Sequence, residues 1–395
     1  MVLAAPFWVL TAGIVLTSLG VGRYAFLVDK RYDQNMSSYW AGTPDVLCRH
    51  MSVYARGARY GGDNTPPVYI DHNTSLSRSD IVTMRTSLQN FADSGRVSGS
   101  SGKGGLDEDG RPVGWEDCFS SFLWGTAESV ADPLYENDFT FSSSCSIVAI
   151  EGNFAAFHPF RYMSGGFLPE VPVDERQIVI NDVLAWKFYK SYDVLGEKIK
   201  LWGEEFTIIG VVAEPSDRIT NSCGADEPRV YVYFTAMEQL APLTSPDSEP
   251  GNSGSGTAGG TTPTPSPAAQ QGAGASAARP VMAVMCYEAM IPEAIEGVAR
   301  NDVSASVPNY NPVNQNFYVI SNTGRYGVLT TWKFMWPIGK NTNMLSKFEF
   351  PFWEKTAQLA TTHMFADEIL TIAGACLLVT GSLMAALRYR KMSRK

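Results

Sequence analysis

SIVAIEGNFAAFHPFRYMSGGFLPEVPVDERQIVINDVLAWKFYKSYDVLGEKIKLWGEEFTIIGVVAEP, residues 146–215, reads as compact α/β structure. Ile147 to Ile150 is a short apolar run bounded by serine and Glu151-Gly152, the pattern of a strand. Phe154, Phe157 and Phe160 crowd around Pro159, and Gly165-Gly166 forces a turn. Ile178-Val179-Ile180 is a second β-branched run, and Asn181 or Asp182 can cap the helix predicted over Val183 to Lys190. Leu184 and Phe188 lie one helical turn apart and share a face. After Leu195-Gly196 the chain alternates, with Lys198 and Lys200 outward and Ile199 and Leu201 inward. Gly203-Glu204 is expected to make a two-residue hairpin turn into a strand from Phe206 to Val212, with Gly210 at a bulge.

Working outward, the two ends set the compartment. Val2 to Gly22 carries no charged side chain and is long enough to cross a bilayer. MVLAAP lacks the basic n-region of a secretory signal, so a retained anchor is expected. Ile369 to Leu387 is a second uncharged apolar run, flanked beyond it by Arg388, Arg390, Lys391, Arg394 and Lys395. Those five basic residues outweigh Arg23, Lys30 and Arg31 beyond the first run, which predicts both termini in the cytoplasm and the intervening region outside. The expected organisation is therefore a first transmembrane helix over 1–28, an outer domain in two parts over 29–243 and 281–351, and a linker over 244–280. A stalk helix over 352–368, a second span over 369–387 and a basic tail over 388–395 follow. The linker holds almost no large apolar residue and is expected to be disordered.

The outer region reads as mixed α/β. Residues 32–65 are polar with little period, and Val68-Tyr69-Ile70 is a short strand. Asp80 is placed to cap a helix whose Ile81, Met84, Leu88 and Phe91 recur at helical spacing. Residues 94–112 are a loop; Trp115 to Trp124 is aromatic and expected to be buried; Arg229 to Phe234 is a strand. Val281 to Met285 is predicted as a strand, Pro292 to Arg300 as a helix with proline in its first turn, and Phe317 to Ile320 as another strand. Phe352 to Leu387 is expected to be one continuous helix with Trp353, Ala357, Ala360 and Met364 on one face. Its length would be about 54 Å, more than a membrane requires.

Candidate chemistry is sparse. Of His50, His72, His158 and His363, none has a further ligand at metal-binding spacing, and His158 in its aromatic setting reads as a packing residue. Gly102-Lys103 is no P-loop, because Val97 and Gly104 stand where glycine and Ser/Thr are needed. Ser100 and Lys103 match S-x-x-K without a surrounding apolar helix, and Asp107-x-Asp109-Gly110 is half a calcium loop spoiled by Arg111. Lys187, Lys190, Lys198 and Lys200 read as an exposed face, and Trp202 as either a partner contact or core. Five outer cysteines allow one or two disulfides, and no CxxC pair occurs. A net charge of −9 argues against nucleic acid as a partner. No catalytic, cofactor-binding or metal-binding residue is assigned.

GNFAAFHPFRYMSGGFL, QIVINDVLAWKFY and LGEKIKLWGEEFTIIGVVAEPSDR, in that order, resemble the MacB-like periplasmic core domain of FtsX-like ABC transporter permeases. That family carries a phenylalanine-rich turn with S/A-G-R-x-F, then P-L-G-K-x-I-x-L, then F-T-V-I-G-V. Here Gly166 replaces the arginine, Val194 the proline and Glu197 the lysine. The resemblance implies an extracytoplasmic α/β (α+β mixed sheet) domain flanked by two transmembrane helices in the cell membrane. It implies a mechanical role as a permease-like or accessory subunit, with no ATPase or hydrolase of its own. Its partners would be a cytoplasmic ABC ATPase, membrane lipid, and further membrane subunits or a second copy. Such permeases usually continue with two more spans, which a partner chain would have to supply here. A ligand-binding sensor or adhesion module without transport is the alternative reading.

Overall fold

The computed structural model describes residues 4–40, 47–57, 64–94, 103–104, 114–130, 140–242, 281–293, 295–337 and 346–394. Helix α1 (Ala4–Asp29) and helix α10 (Phe352–Met392) are each long and apolar enough to cross a membrane, and they pack against each other. Between them lies a mixed sheet flanked by short helices.

The strands are β1 (Leu47–Ala55), β2 (Glu116–Ser129), β3 (Ser142–Gly152), β4 (Arg161–Gly165), β5 (Gln177–Asn181), β6 (Lys198–Leu201), β7 (Glu204–Ala213), β8 (Arg229–Tyr233), β9 (Cys286–Glu293) and β10 (Phe317–Ser321). They run in the order β10-β1-β9-β2-β3-β8-β5-β7-β4, and β6 joins β2 to β7. Pairing is antiparallel except for β3 with β8 and β5 with β7. Neighbours distant in sequence are thereby brought side by side, with His50 of β1 opposite Met290 of β9.

The central stretch folds as its pattern dictates. Asn181 caps α5 (Asp182–Tyr189), its side chain accepting the Leu184 N–H at 3.0 Å, and Leu184 and Phe188 are buried. Ile199 and Leu201 point into the core while Lys198 faces solvent. The hairpin turn sits one residue earlier than Gly203-Glu204: Trp202 and Gly203 both adopt positive φ, at 54° and 82°, and β7 starts at Glu204. A tight turn of this hand needs both central residues in that region, and glycine takes the second at no steric cost. Gly210 lies at a register shift, and a Cβ there would meet the Gly166 carbonyl oxygen at 1.8 Å, so only glycine fits.

Several expected elements are corrected. The polar stretch 32–65 contains β1, a strand buried along much of its length. Val68 to Ile70 contributes one isolated bridge, Val68 to Met282. Helix α3 (Arg78–Asp93) is capped by Ser77; Asp80, the third residue of the helix, closes the capping box and accepts the Ser77 N–H at 2.8 Å. Its buried stripe is Ile81, Met84, Leu88 and Ala92, with Phe91 at the margin. Trp115 is buried, but Trp124 is exposed. Residues 282 and 284 make isolated bridges, the strand starts at Cys286, and Pro292 lies within it opposite Cys48. The helix expected from Pro292 is α8 (Val298–Ser306). All six cysteines are free thiols. The linker over 244–280, Ser100, Asp107, Asp109 and Arg111 lie outside the described residues.

Small residues bring the two candidate membrane helices together. A Cβ on Gly20 would meet the Asp367 carbonyl oxygen at 2.7 Å, and one on Gly374 would meet the Thr17 backbone nitrogen at 2.6 Å. A Cβ on Gly13 or Gly381 would come within 2.9 Å of Leu378 or Leu10. Seven-residue spacing on each helix, Gly13 to Gly20 and Gly374 to Gly381, keeps these glycines along one seam, where backbones can approach. Arg23 pairs with Asp367 at 3.1 Å above that seam.

Candidate functional site at the stalk junction

Helix α10 is unbroken from the outer domain through the apolar run, as its pattern predicts. Trp353, Ala357, Ala360 and Met364 are all buried on it. At 1.5 Å per residue it is about 60 Å long. Its first turn enters the sheet domain. The Trp353 ring lies 5.5 Å from Phe122 of β2, 5.8 Å from Phe154 of α4 (Phe154–Phe157), and 4.6 Å from His158. The Arg229 guanidinium of β8 sits over the Phe352 ring, 4.1 Å from its centre.

Glu354, one residue on, is buried and would be costly there without a partner. Arg325 supplies one as a two-pronged fork, its Nη1 and Nη2 donating to the two carboxylate oxygens at 2.6 and 2.7 Å. Arg325 follows β10, and its Nη1 also donates to Asn322 Oδ1 at 3.3 Å. Asn322 Nδ2 donates to Ser52 Oγ at 2.8 Å, and Ser52 Oγ to Glu288 Oε1 at 3.1 Å. Glu288 lies between two histidines: His50 Nε2 at 2.9 Å and His158 Nε2 at 2.7 Å. The His158 ring packs on Trp353, so the path returns to α10. Glu354, Arg325, Asn322, Ser52, Glu288, His158 and Trp353 thus form a closed circuit linking β1, β9, the β10 end and the stalk.

Burial pushes the Glu288 carboxyl up, but the charges and hydrogen bonds of His158 and His50 outweigh it and hold it well below the usual carboxylate range. An ionised carboxylate only accepts, so the facing Nε2 of each histidine donates. Burial also pushes the Cys286 thiol and the Tyr54 phenol up, leaving both neutral beside this network. Glu288→Gln is expected to remove about 3 kcal/mol at neutral pH. A carboxyl with a lowered folded-state pKa stabilises fully above its unfolded value near 4.3 and loses that contribution as pH falls towards the folded value. Thermal melts of wild type and variant should therefore differ fully at pH 7 and begin to converge only as the pH falls below about 4; equal melting at pH 7 would refute the assignment.

A cavity of about 20 Å³ lies beside the junction, lined by Phe154, Phe160, Tyr231, Phe352 and Trp353 among others. That is room for about one water. A larger cavity of about 230 Å³ also borders the junction, lined by Phe122, Cys223, Arg229, Phe352 and Trp353 among others. Among the described residues no group of three His, Cys, Asp or Glu is arranged to hold a metal ion.

Of the positions weighed in the sequence, His50 and His158 meet at Glu288. His158 does pack against aromatics, but it also holds Glu288, which the packing reading missed. Lys103 pairs with Asp117 at 2.9 Å and Glu170 at 3.0 Å, so it is an anchored side chain. Trp202 is half-buried against the core. Ser52, Glu288, Arg325 and Glu354 were missed. Glu288 had a signal: it is a lone carboxylate inside the apolar run from Val281 to Ile291.

The fold and junction define a class: a mixed-sheet domain held between two candidate membrane helices. Residues 81–271 match the family model described as the MacB-like periplasmic core domain, the family that the sequence motifs resemble. Among solved structures it is similar to the periplasmic region of MacB from Actinobacillus actinomycetemcomitans, at 11% identity and TM-score 0.37, covering 71% of this chain and 92% of that one. It is also similar to the extracellular domain of the noncanonic ABC-type transporter YknZ from Gram-positive bacteria, at 9% identity and TM-score 0.34, covering 69% of this chain and 99% of that one. No match was found among curated proteins.

Proposed function

We propose that this chain is a permease-like or accessory subunit of an ABC-type transporter, and that α10 carries movement generated by a partner ATPase into the outer domain. The observation that carries this reading is the joint itself. One unbroken helix runs from the apolar seam to a buried bidentate ion pair with the sheet domain. A displacement of the span is then a displacement of Glu354, and through Arg325 and Glu288 it reaches β1 and β9. The matched core domain supports placement beside an ABC ATPase and further membrane subunits or a second copy of the chain. In this reading both termini are cytoplasmic and the chain performs no bond chemistry of its own.

The test is purification of the tagged full chain from its native membrane in mild detergent. An ATP-binding subunit should copurify, and nucleotide should change the distance between spin labels on the outer domain and the cytoplasmic end of α10. Recovery of the chain with no nucleotide-binding partner would instead favour a lone sensor.

A further inference from the structure

A groove of about 620 Å³ opens where α1, α10 and the short helix α6 (Arg218–Ser222) converge. Its basic members include Arg23, Lys30 and Arg218; its apolar wall includes Phe26, Leu27 and Leu359. Arg23 is shared with Asp367. Asp217, the carboxylate in the lining, is taken by the buried Arg31. Neither Lys30 nor Arg218 forms an ion pair with a described residue, and both are exposed. The rim is therefore positive while the wall is greasy.

Position decides what fits. The charge-free run of α1 ends at Gly22, and Arg23 to Lys30 rise about 10 Å beyond it, which is roughly the depth of the headgroup layer. Phe26 and Leu27 face the same layer, next to the acyl chains. A ligand there must present an anionic group at the height of Lys30 and Arg218 and a hydrocarbon tail below it. We propose that this groove is a binding site for one anionic phospholipid of the outer-facing leaflet, its phosphate held by Lys30 and Arg218 and one acyl chain laid along Phe26 and Leu27. Such a lipid would fill the angle between stalk and first span at the membrane surface. The site needs only a chain seated in a bilayer, so its failure would leave the coupling reading standing.

The experiment is native mass spectrometry of the full chain in detergent with added phosphatidylglycerol, phosphatidylcholine of matched acyl chains, or inorganic phosphate. One phosphatidylglycerol should be retained in preference to phosphatidylcholine. Removing both charges in Lys30→Gln/Arg218→Gln should weaken it by about thirty-fold, as two basic side chains near a membrane surface imply. The charge-reversed Lys30→Glu/Arg218→Glu should abolish it. Circular dichroism melts of both variants check folding, and the milder pair serves if the reversal disturbs it. Equal retention of the two lipids, unchanged retention in a folded variant, or displacement by millimolar inorganic phosphate would each overturn the proposal.

Discussion

Glu354→Met is expected to lower the stability of the outer domain by about 3–5 kcal/mol, because it leaves the buried Arg325 guanidinium without its counter-charge. Arg325 cannot escape by losing its proton: burial pulls its pKa down, but Glu354 more than compensates and holds it above the ordinary guanidinium value. Arg325→Met should be comparably harmful, since it strands the carboxylate. The double variant Arg325→Met/Glu354→Met should recover much of the loss, as apolar replacement of a buried ion pair is often neutral. Thermal unfolding of the full chain in detergent, followed by tryptophan fluorescence, reads all four corners of the cycle. Additive losses in the double variant would show that the pair is not coupled. The recovered variant also separates stability from transmission: it keeps a folded domain but removes the charged tie between stalk and β10.

Gly20→Leu should force α1 and α10 apart. The added side chain would begin 2.7 Å from the Asp367 carbonyl oxygen and 2.9 Å from the Thr371 backbone nitrogen, contacts that no rotamer relieves. Overpacking of this kind costs about 1–3 kcal/mol where neighbours can shift, and a helix backbone shifts as a whole. The readout is a disulfide between cysteines placed at 10 and 381, in a Cys376→Ala background. Leu10 side-chain carbons lie 2.9 and 3.0 Å from the Cβ position of Gly381, so the pair should oxidise readily. Adding Gly20→Leu should reduce the yield several-fold, whereas Gly22→Leu, which meets nothing within 4 Å, should leave it unchanged. Equal yields in both would mean that the glycine seam does not hold the helices together.

Period and turn chemistry made much of the architecture legible. The strands over 147–150, 178–180 and 206–212, the Asn181 cap and the unbroken α10 each follow from local pattern alone. What escaped was structure whose pattern is set by distant partners. Strand β1 reads as polar because His50 and Ser52 point to Glu288, which is 238 and 236 residues away in sequence. Their polarity is satisfied inside the fold, so alternation, the usual sign of a half-buried strand, is missing. Pro292 suggested a helix start because proline suits a first turn, yet it is tolerated near the end of β9. The junction was invisible for the same reason as β1: Arg325 and Glu354 sit in unremarkable local settings and meet only in the folded chain.

The unbroken helix α10 has one more implication. A residue on an α-helix is turned 100° from its neighbour, so Glu354 faces Arg325 and Gly374 faces α1 only because the spacing between them is correct. A single-residue insertion between them would swing one grip out of alignment with the other. Seven added residues would nearly restore the angle and raise the domain about 10 Å. The distance from the sheet domain to the glycine seam is therefore quantised, adjustable in steps of about two helical turns and resistant to anything finer.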